Sequence, residues 1–235
     1  FMGREKKLGL VPKMLIAIFL GILAGKYLPV WFVRIAVTFS SIFGSFLAFI
    51  IPLMILAFVT KGISDLGDGA GKLLGVTVLI SYLSTLIGGS ISYVMSSNIF
   101  PKFITEEQIS SIVETGGSEL DPFFEVPLEP FFDVTSALIF AFMMGISISW
   151  LRKNNSGDVL YKSVSEFNAI ITQVLGKAIV PLLPFFIFGN FSEMSYNGSV
   201  FAVLGIFWKI FICIIILHLL YVSLMLSLIH ISEPT

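Results

Sequence analysis

The sequence predicts an all-α, polytopic membrane protein of about six transmembrane helices, and three observations predict it. The 235 residues are 56% apolar and only 12% charged, with a mean hydropathy of +0.98. Soluble domains carry about 25% charged residues, so this chain has half the charge needed to wet a globular surface. Long uncharged runs recur along it, and the basic residues fall into alternate gaps between those runs.

The same numbers exclude other classes. Disorder requires low hydrophobicity and high charge. A net charge of −1 without a basic stripe argues against nucleic acid as a partner. A disulfide scaffold cannot be built from the single Cys213. Arg4, Glu5, Lys6, Lys7 and Lys13 precede an apolar run as in a secretory leader, yet no small-residue cleavage site follows and further apolar runs do.

A helix crosses the hydrocarbon core with about 20 apolar residues. The first span is Leu10 to Leu28, bounded by Lys13 and Lys26, which can snorkel to the interfaces. Between Arg34 and Lys61 lie 26 uncharged residues, the second span, with Pro52 inside it. The third has 29, between Lys72 and Lys102; the fourth has 18, between Asp133 and Arg152. The fifth, Phe167 to Phe188, contains Lys177, Pro181 and Pro184; the sixth has 23, between Lys209 and Glu233. Interior prolines remove a backbone hydrogen bond and kink a helix, and in lipid the freed carbonyl must face protein or a cavity.

Basic residues mark the cytoplasmic side. The N-terminus and the gaps Lys61–Lys72 and Arg152–Glu166 hold nine lysines and arginines, whereas the intervening gaps hold Lys26, Arg34 and Lys102. The connection 102–133 carries eight acids. The expectation is an inner (plasma) membrane protein with a cytoplasmic N-terminus and an outer acidic loop. Within that loop, residues 108–114 are expected to form a short helix. Gly21/Gly25, Gly67/Gly71 and Gly71/Gly75 are small-xxx-small pairs, read chiefly as tight packing within one subunit or as turn chemistry.

Enzyme signatures are wanting, so no catalytic residue is assigned. There is no zinc spacing, no Gly-x-Ser-x-Gly and no phosphate loop. His218 and His230 read as packed or hydrogen-bonded residues rather than ligands, and no metal site or organic cofactor is expected. Asp65, Asp68 and Asp158 read as solvated turn residues. Lys177 is the ionisable group hardest to place inside a span, which makes it a functional candidate. In the third span Tyr82 and Thr85, three apart, share a helix face. Their oxygens suit a hard monovalent cation; the alternative is local bonding of the threonine hydroxyl to its own i−4 carbonyl.

Residues 49–67 (FIIPLMILAFVTKGISDLG), 71–75 (GKLLG), 82–85 (YLST) and 133–145 (DVTSALIFAFMMG) together resemble the dicarboxylate/amino acid:cation symporter family, prokaryotic relatives of glutamate transporters. The likeness extends from about Leu8 to Ser227. It implies a homotrimer in membrane lipid that couples uptake of a dicarboxylate or amino acid, a small anionic or amino-acid substrate, to a sodium or proton gradient. It also implies a fixed scaffold of the first, second, fourth and fifth helices, and a mobile part, moving as an elevator, that includes the third and sixth. Tyr82 and Thr85 fall where the family's third helix contributes to a sodium site, and Leu86 stands where a further hydroxyl is common. The family's serine-rich hairpin and Asn-Met-Asp-Gly-Thr motif follow the sixth helix. The expectation is therefore an N-terminal membrane region, residues 1–228, truncated before those hairpins, with a non-native tail over 229–235. Substrate-binding residues would lie beyond 235, and residues 1–235 alone would not transport. The alternative is a non-transporting membrane scaffold or assembly module.

Overall fold

The computed structural model describes residues 9–66, 70–102, 110 and 120–232. Apart from short connections and the extended stretch 120–133 these are helical, with no strand among them. In chain order they form α1 (Leu10–Tyr27), α2 (Val30–Asp65), α3 (Ala70–Ile99) with a 3₁₀ turn at Phe100–Lys102, α4 (Val134–Lys153), α5 (Asp158–Val174), a π-helical turn at Leu175–Ile179, α6 (Val180–Tyr196) and α7 (Ser199–Ser232). Six stretches are long and apolar enough to cross a membrane: Leu10–Tyr27, Val30–Asp65, Gly75–Lys102, Val134–Lys153, Asp158–Tyr196 and Ser199–Ser227. The sequence-predicted number of spans is met.

Local chemistry sets the boundaries. Leu28 is extended because proline follows it, and Pro29 with its fixed φ starts α2, so two residues connect α1 to α2. Asp133 caps α4: its carboxylate accepts from the Thr135 and Ser136 backbone N–H groups at 2.9 and 3.2 Å. Bonding from Ser136, its hydroxyl first, holds the Asp133 carboxyl below the ordinary carboxylate range. Between α4 and α5 the chain turns on Asn155 (φ 54°) and Gly157 (φ 83°). A Cβ on Gly157 would also lie 2.7 Å from that of Leu151, so glycine is required twice over.

Two compact units divide the chain, Phe1–Leu79 with Leu120–Tyr196, and Ile80–Glu119 with Asn197–Thr235. In the first, α1 packs beside α6 in parallel: Gly21 meets Phe188 and Phe191, Gly25 meets Ser192 and Ser195, and the Ser195 hydroxyl donates to the Ile22 carbonyl at 2.7 Å. The Gly21/Gly25 pair thus packs within one chain. Helices α2 and α4 are parallel too, with Gly145 against Ile63 and Thr60 and the Thr60 hydroxyl on the Ala141 carbonyl. Helices α2 and α6 are antiparallel, with Gly189 on Ala36 and Ser40 on the Phe186 carbonyl at 2.9 Å. Spans one and five run alike, as do two and four, while two opposes five. Strict alternation of crossings requires that pattern.

Lipid offers no hydrophobic drive between helices, so missing side chains and serine or threonine bonds hold these pairs. Phe43, Ile50 and Ala57 of α2 close a core with Ile171 and Ile179. Helix α2 continues through Pro52, which is buried and so faces protein as expected, without a break. The π-helical turn carries Lys177 and immediately precedes Val180 and Pro181. Pro181 and Pro184 cannot bond the Lys177 and Val180 carbonyls, so the register slips there. The helical stretch that carries the fifth span starts earlier than Phe167, because amphipathic α5 continues into it.

The second unit holds α3 from Ile80 and all of α7. None of the described α3 side chains is buried. The Gly71/Gly75 expectation finds no support at Gly75, where a Cβ would meet nothing within 4 Å. Gly67, Asp68 and, apart from Ser110, residues 108–114 lie outside the described residues.

Candidate functional site

Helix α3 places the two residues proposed from sequence. Tyr82 is 63% exposed. The Thr85 hydroxyl donates to the Ser81 carbonyl at 2.8 Å, the local i−4 bond. Ser90 does the same to Leu86. A hydroxyl that has donated its hydrogen keeps two lone pairs, so this bond leaves the threonine oxygen an acceptor that can ligate a cation. Leu86, beside it, is half exposed and offers no oxygen.

Helix α3 meets α7 through Ser84. Ser84 and Tyr221 share a hydroxyl–hydroxyl hydrogen bond at 3.3 Å. Next to it lies a cavity of about 230 Å³ lined by Gly88, Ile91, Ser92, His218 and Tyr221, among others. Tyr82 and Thr85 stand more than a quarter-turn round the helix from Ser84, and neither lines the cavity. The structure therefore separates the Tyr82–Thr85 pair from the hydroxyl pair that bridges α3 and α7. The serine at 84 lay within the quoted sequence motif; its tyrosine partner, 137 residues later, did not. His218 lies on the cavity wall rather than being packed away.

A second polar cluster lies where α2 and α4 end and α5 begins. Lys61 donates to Asp65 at 2.5 Å and to the Tyr161 hydroxyl at 2.7 Å. That hydroxyl donates onward to Asp65 at 2.7 Å. The Arg152 guanidinium lies 3.9 Å from the Tyr161 ring centre and donates to the Ser64 carbonyl at 3.2 Å, while Lys61 sits 4.4 Å from the same ring. One tyrosine is thus held by two cations and a carboxylate from two other helices. Asp65 is exposed, as a solvated residue should be, but it ends α2 rather than lying in a turn and accepts two hydrogen bonds. The i,i+4 spacing of Lys61 and Asp65 was the available signal.

The opposite end of this unit is tied by Arg34. Its Nε donates to the Asp121 carbonyl at 2.7 Å and its guanidinium lies 4.6 Å from the Phe123 ring centre. The Phe123 N–H donates to the Thr38 hydroxyl at 2.9 Å, and the Leu120 N–H to Glu193 at 3.1 Å. The chain entering α4 is thereby fixed to α2 and α6. Lys177 is exposed on its π-helical turn. No group of three or more His, Cys, Asp or Glu side chains is gathered as a metal site among the described residues. The side chain of His230 lies outside them.

These features belong to a polytopic helical protein with one tightly cross-braced unit and one hydroxyl-rich unit. The sequence model of the Sodium:dicarboxylate symporter family matches residues 10–233. Comparison with curated proteins and with solved structures gives no match.

Proposed function

Because the chain belongs to the sodium:dicarboxylate symporter family, we propose that it acts in uptake of a dicarboxylate or amino acid driven by a sodium or proton gradient. The observation that carries the mechanistic part is the division of the chain. The unit of α1, α2, α4, α5 and α6 is cross-braced by glycine contacts and by the Tyr161 and Arg34 clusters. This suits the static frame of an elevator. Helix α3 from Ile80 and all of α7 fall in the other unit, where the glycines at 88 and 89 leave open space. This suits a part that travels.

Tyr82 and Thr85 are our candidates for the coupling cation, through the lone pairs left free by the Thr85–Ser81 bond. A gradient-coupled carrier needs a cation site whose occupancy changes substrate affinity. The working assembly is a homotrimer in a plasma membrane. Basic residues at the Lys61–Arg152 end of the braced unit support a cytoplasmic location for that end and for the N-terminus.

The test is uptake. Vesicles from cells expressing the complete reading frame should accumulate a radiolabelled dicarboxylate or acidic amino acid under an inward sodium or proton gradient, and lose it when the gradient is collapsed. Equal uptake with and without each gradient would overturn the proposal.

A further inference from the structure

Two apolar grooves flank α6 in the braced unit. One, of about 300 Å³, lies against α1 and includes Lys13, Ile16 and Leu20; the other, of about 260 Å³, lies against α2 and includes Ile35 and Phe39. Phe185 and Phe188 wall both, so the pair forms a fork around a single aromatic ridge. Phe185 is 61% exposed at its crest. Both grooves are formed by helices long and apolar enough to cross a membrane.

One end of this fork is polar. Among the described residues, Lys13 is the only charged one lining either groove. It stands in the first turn of α1, which has no acidic residue and no side-chain cap at Gly9. Uncapped N–H groups carry the positive end of the helix dipole, and a lysine beside them adds a full charge. Helices α1 and α6 run parallel, so both lead from that cationic end toward the Gly25 contact.

We propose that this fork holds one anionic phospholipid, with its phosphate at Lys13 and the α1 N-terminus and one acyl chain on each side of the Phe185–Phe188 ridge. The charge sits where a headgroup would be, and the two adjoining grooves match a diacyl molecule rather than a single-chain amphiphile. The lipid would fill space between α1, α2 and α6 that side chains leave open.

The test is lipid binding to the detergent-purified chain by native mass spectrometry, titrating phosphatidylglycerol and phosphatidylcholine separately. One phosphatidylglycerol should bind per chain, about fivefold more tightly than phosphatidylcholine, as one lysine near an anionic headgroup provides. Lys13→Gln should abolish that preference and Lys13→Arg should keep it. Ala17→Trp and Ala36→Trp, each filling one groove, should weaken both lipids. Equal affinity for the two lipids in the wild type would overturn the proposal, as would an unchanged preference in Lys13→Gln. So would cross-linking of Ile16→Cys between two copies in native membranes, since a second chain would then cover the groove. Lys13 is exposed, so its two variants decide the matter even where a tryptophan variant fails to fold.

Discussion

The Tyr161 hydroxyl donates to Asp65 Oδ1 at 2.7 Å, and by that bond the first turn of α5 is fastened to the last turn of α2. Lys61 bonds both groups and Arg152 covers the ring, so three helix ends meet at one tyrosine. Removing the hydroxyl and removing the ring should then differ. Tyr161→Phe gives up the two hydrogen bonds but keeps both cations over the ring, at a cost of about 0.5–1.5 kcal/mol. Tyr161→Ala also takes the ring away from Lys61 and Arg152, and each cation–π interaction should add about 1 kcal/mol to the cost. Thermal unfolding of the detergent-solubilised protein checks the order; equal losses would show that the ring contributes nothing.

The parallel packing of α1 on α6 depends on the missing side chain at Gly25. A Cβ there would overlap the Ser192 carbonyl and approach Ser195 to 2.7 Å. Gly25→Leu should cost about 1–3 kcal/mol by overpacking. Gly75→Leu, where a Cβ meets nothing within 4 Å, should be nearly neutral. Melting temperatures of the two variants, measured side by side, test the contrast.

Asp133 gives the α4 cap a pH dependence. Its carboxyl titrates lower in the folded chain than the ordinary 3.8 because Ser136 and Thr135 bond the charged form. Its stabilisation is therefore complete above the ordinary carboxylate range and is lost as pH falls through the lower folded value. Between about pH 5 and pH 8 it contributes no slope. Asp133→Asn keeps a capping oxygen and removes the titration. Unfolding midpoints of wild type and variant should run parallel near neutrality and converge below about pH 4; a gap that stays constant down to about pH 2 would contradict this.

Much of the frame was legible in the sequence because lipid leaves few options. The uncharged runs mark six crossings, and Gly21/Gly25 reads as a close-packing pair that the structure places against α6. The helix that carries the fifth span is longer than the span read from the sequence. Alternating polar and apolar residues in α5 hide a helix that runs along α2, where Asn168 reaches the Ala57 carbonyl. The Tyr161 cluster was not legible, since its register depends on how far α4 and α5 reach around the Gly157 turn. At the candidate site, the Thr85 back-bond follows from a hydroxyl's local geometry in any helix, whereas the Ser84–Tyr221 pairing exists only once α3 and α7 are brought together.

Cation dependence should report on Thr85. If its oxygen ligates the coupling ion, Thr85→Val weakens the sodium or proton dependence of uptake and Thr85→Ser restores it, with assembly unchanged in both. The local bond to Ser81 disappears in the valine variant alone, so detergent stability, measured alongside, separates a structural loss from a loss of coupling. Identical ion dependence in wild type and valine variant would leave the hydroxyl with only its bond to Ser81.

The most direct measurement is side-specific labelling of single cysteines at Ser90 on α3 and Ser41 on α2, in a Cys213→Ser background and in vesicles of known orientation. A membrane-impermeant maleimide should reach the α3 position from a side that changes when coupling ion and substrate are added, while the α2 position keeps its labelling throughout. An α3 cysteine whose accessibility stays fixed under every ion and substrate condition, just as the α2 cysteine does, would contradict a travelling unit beside a static frame.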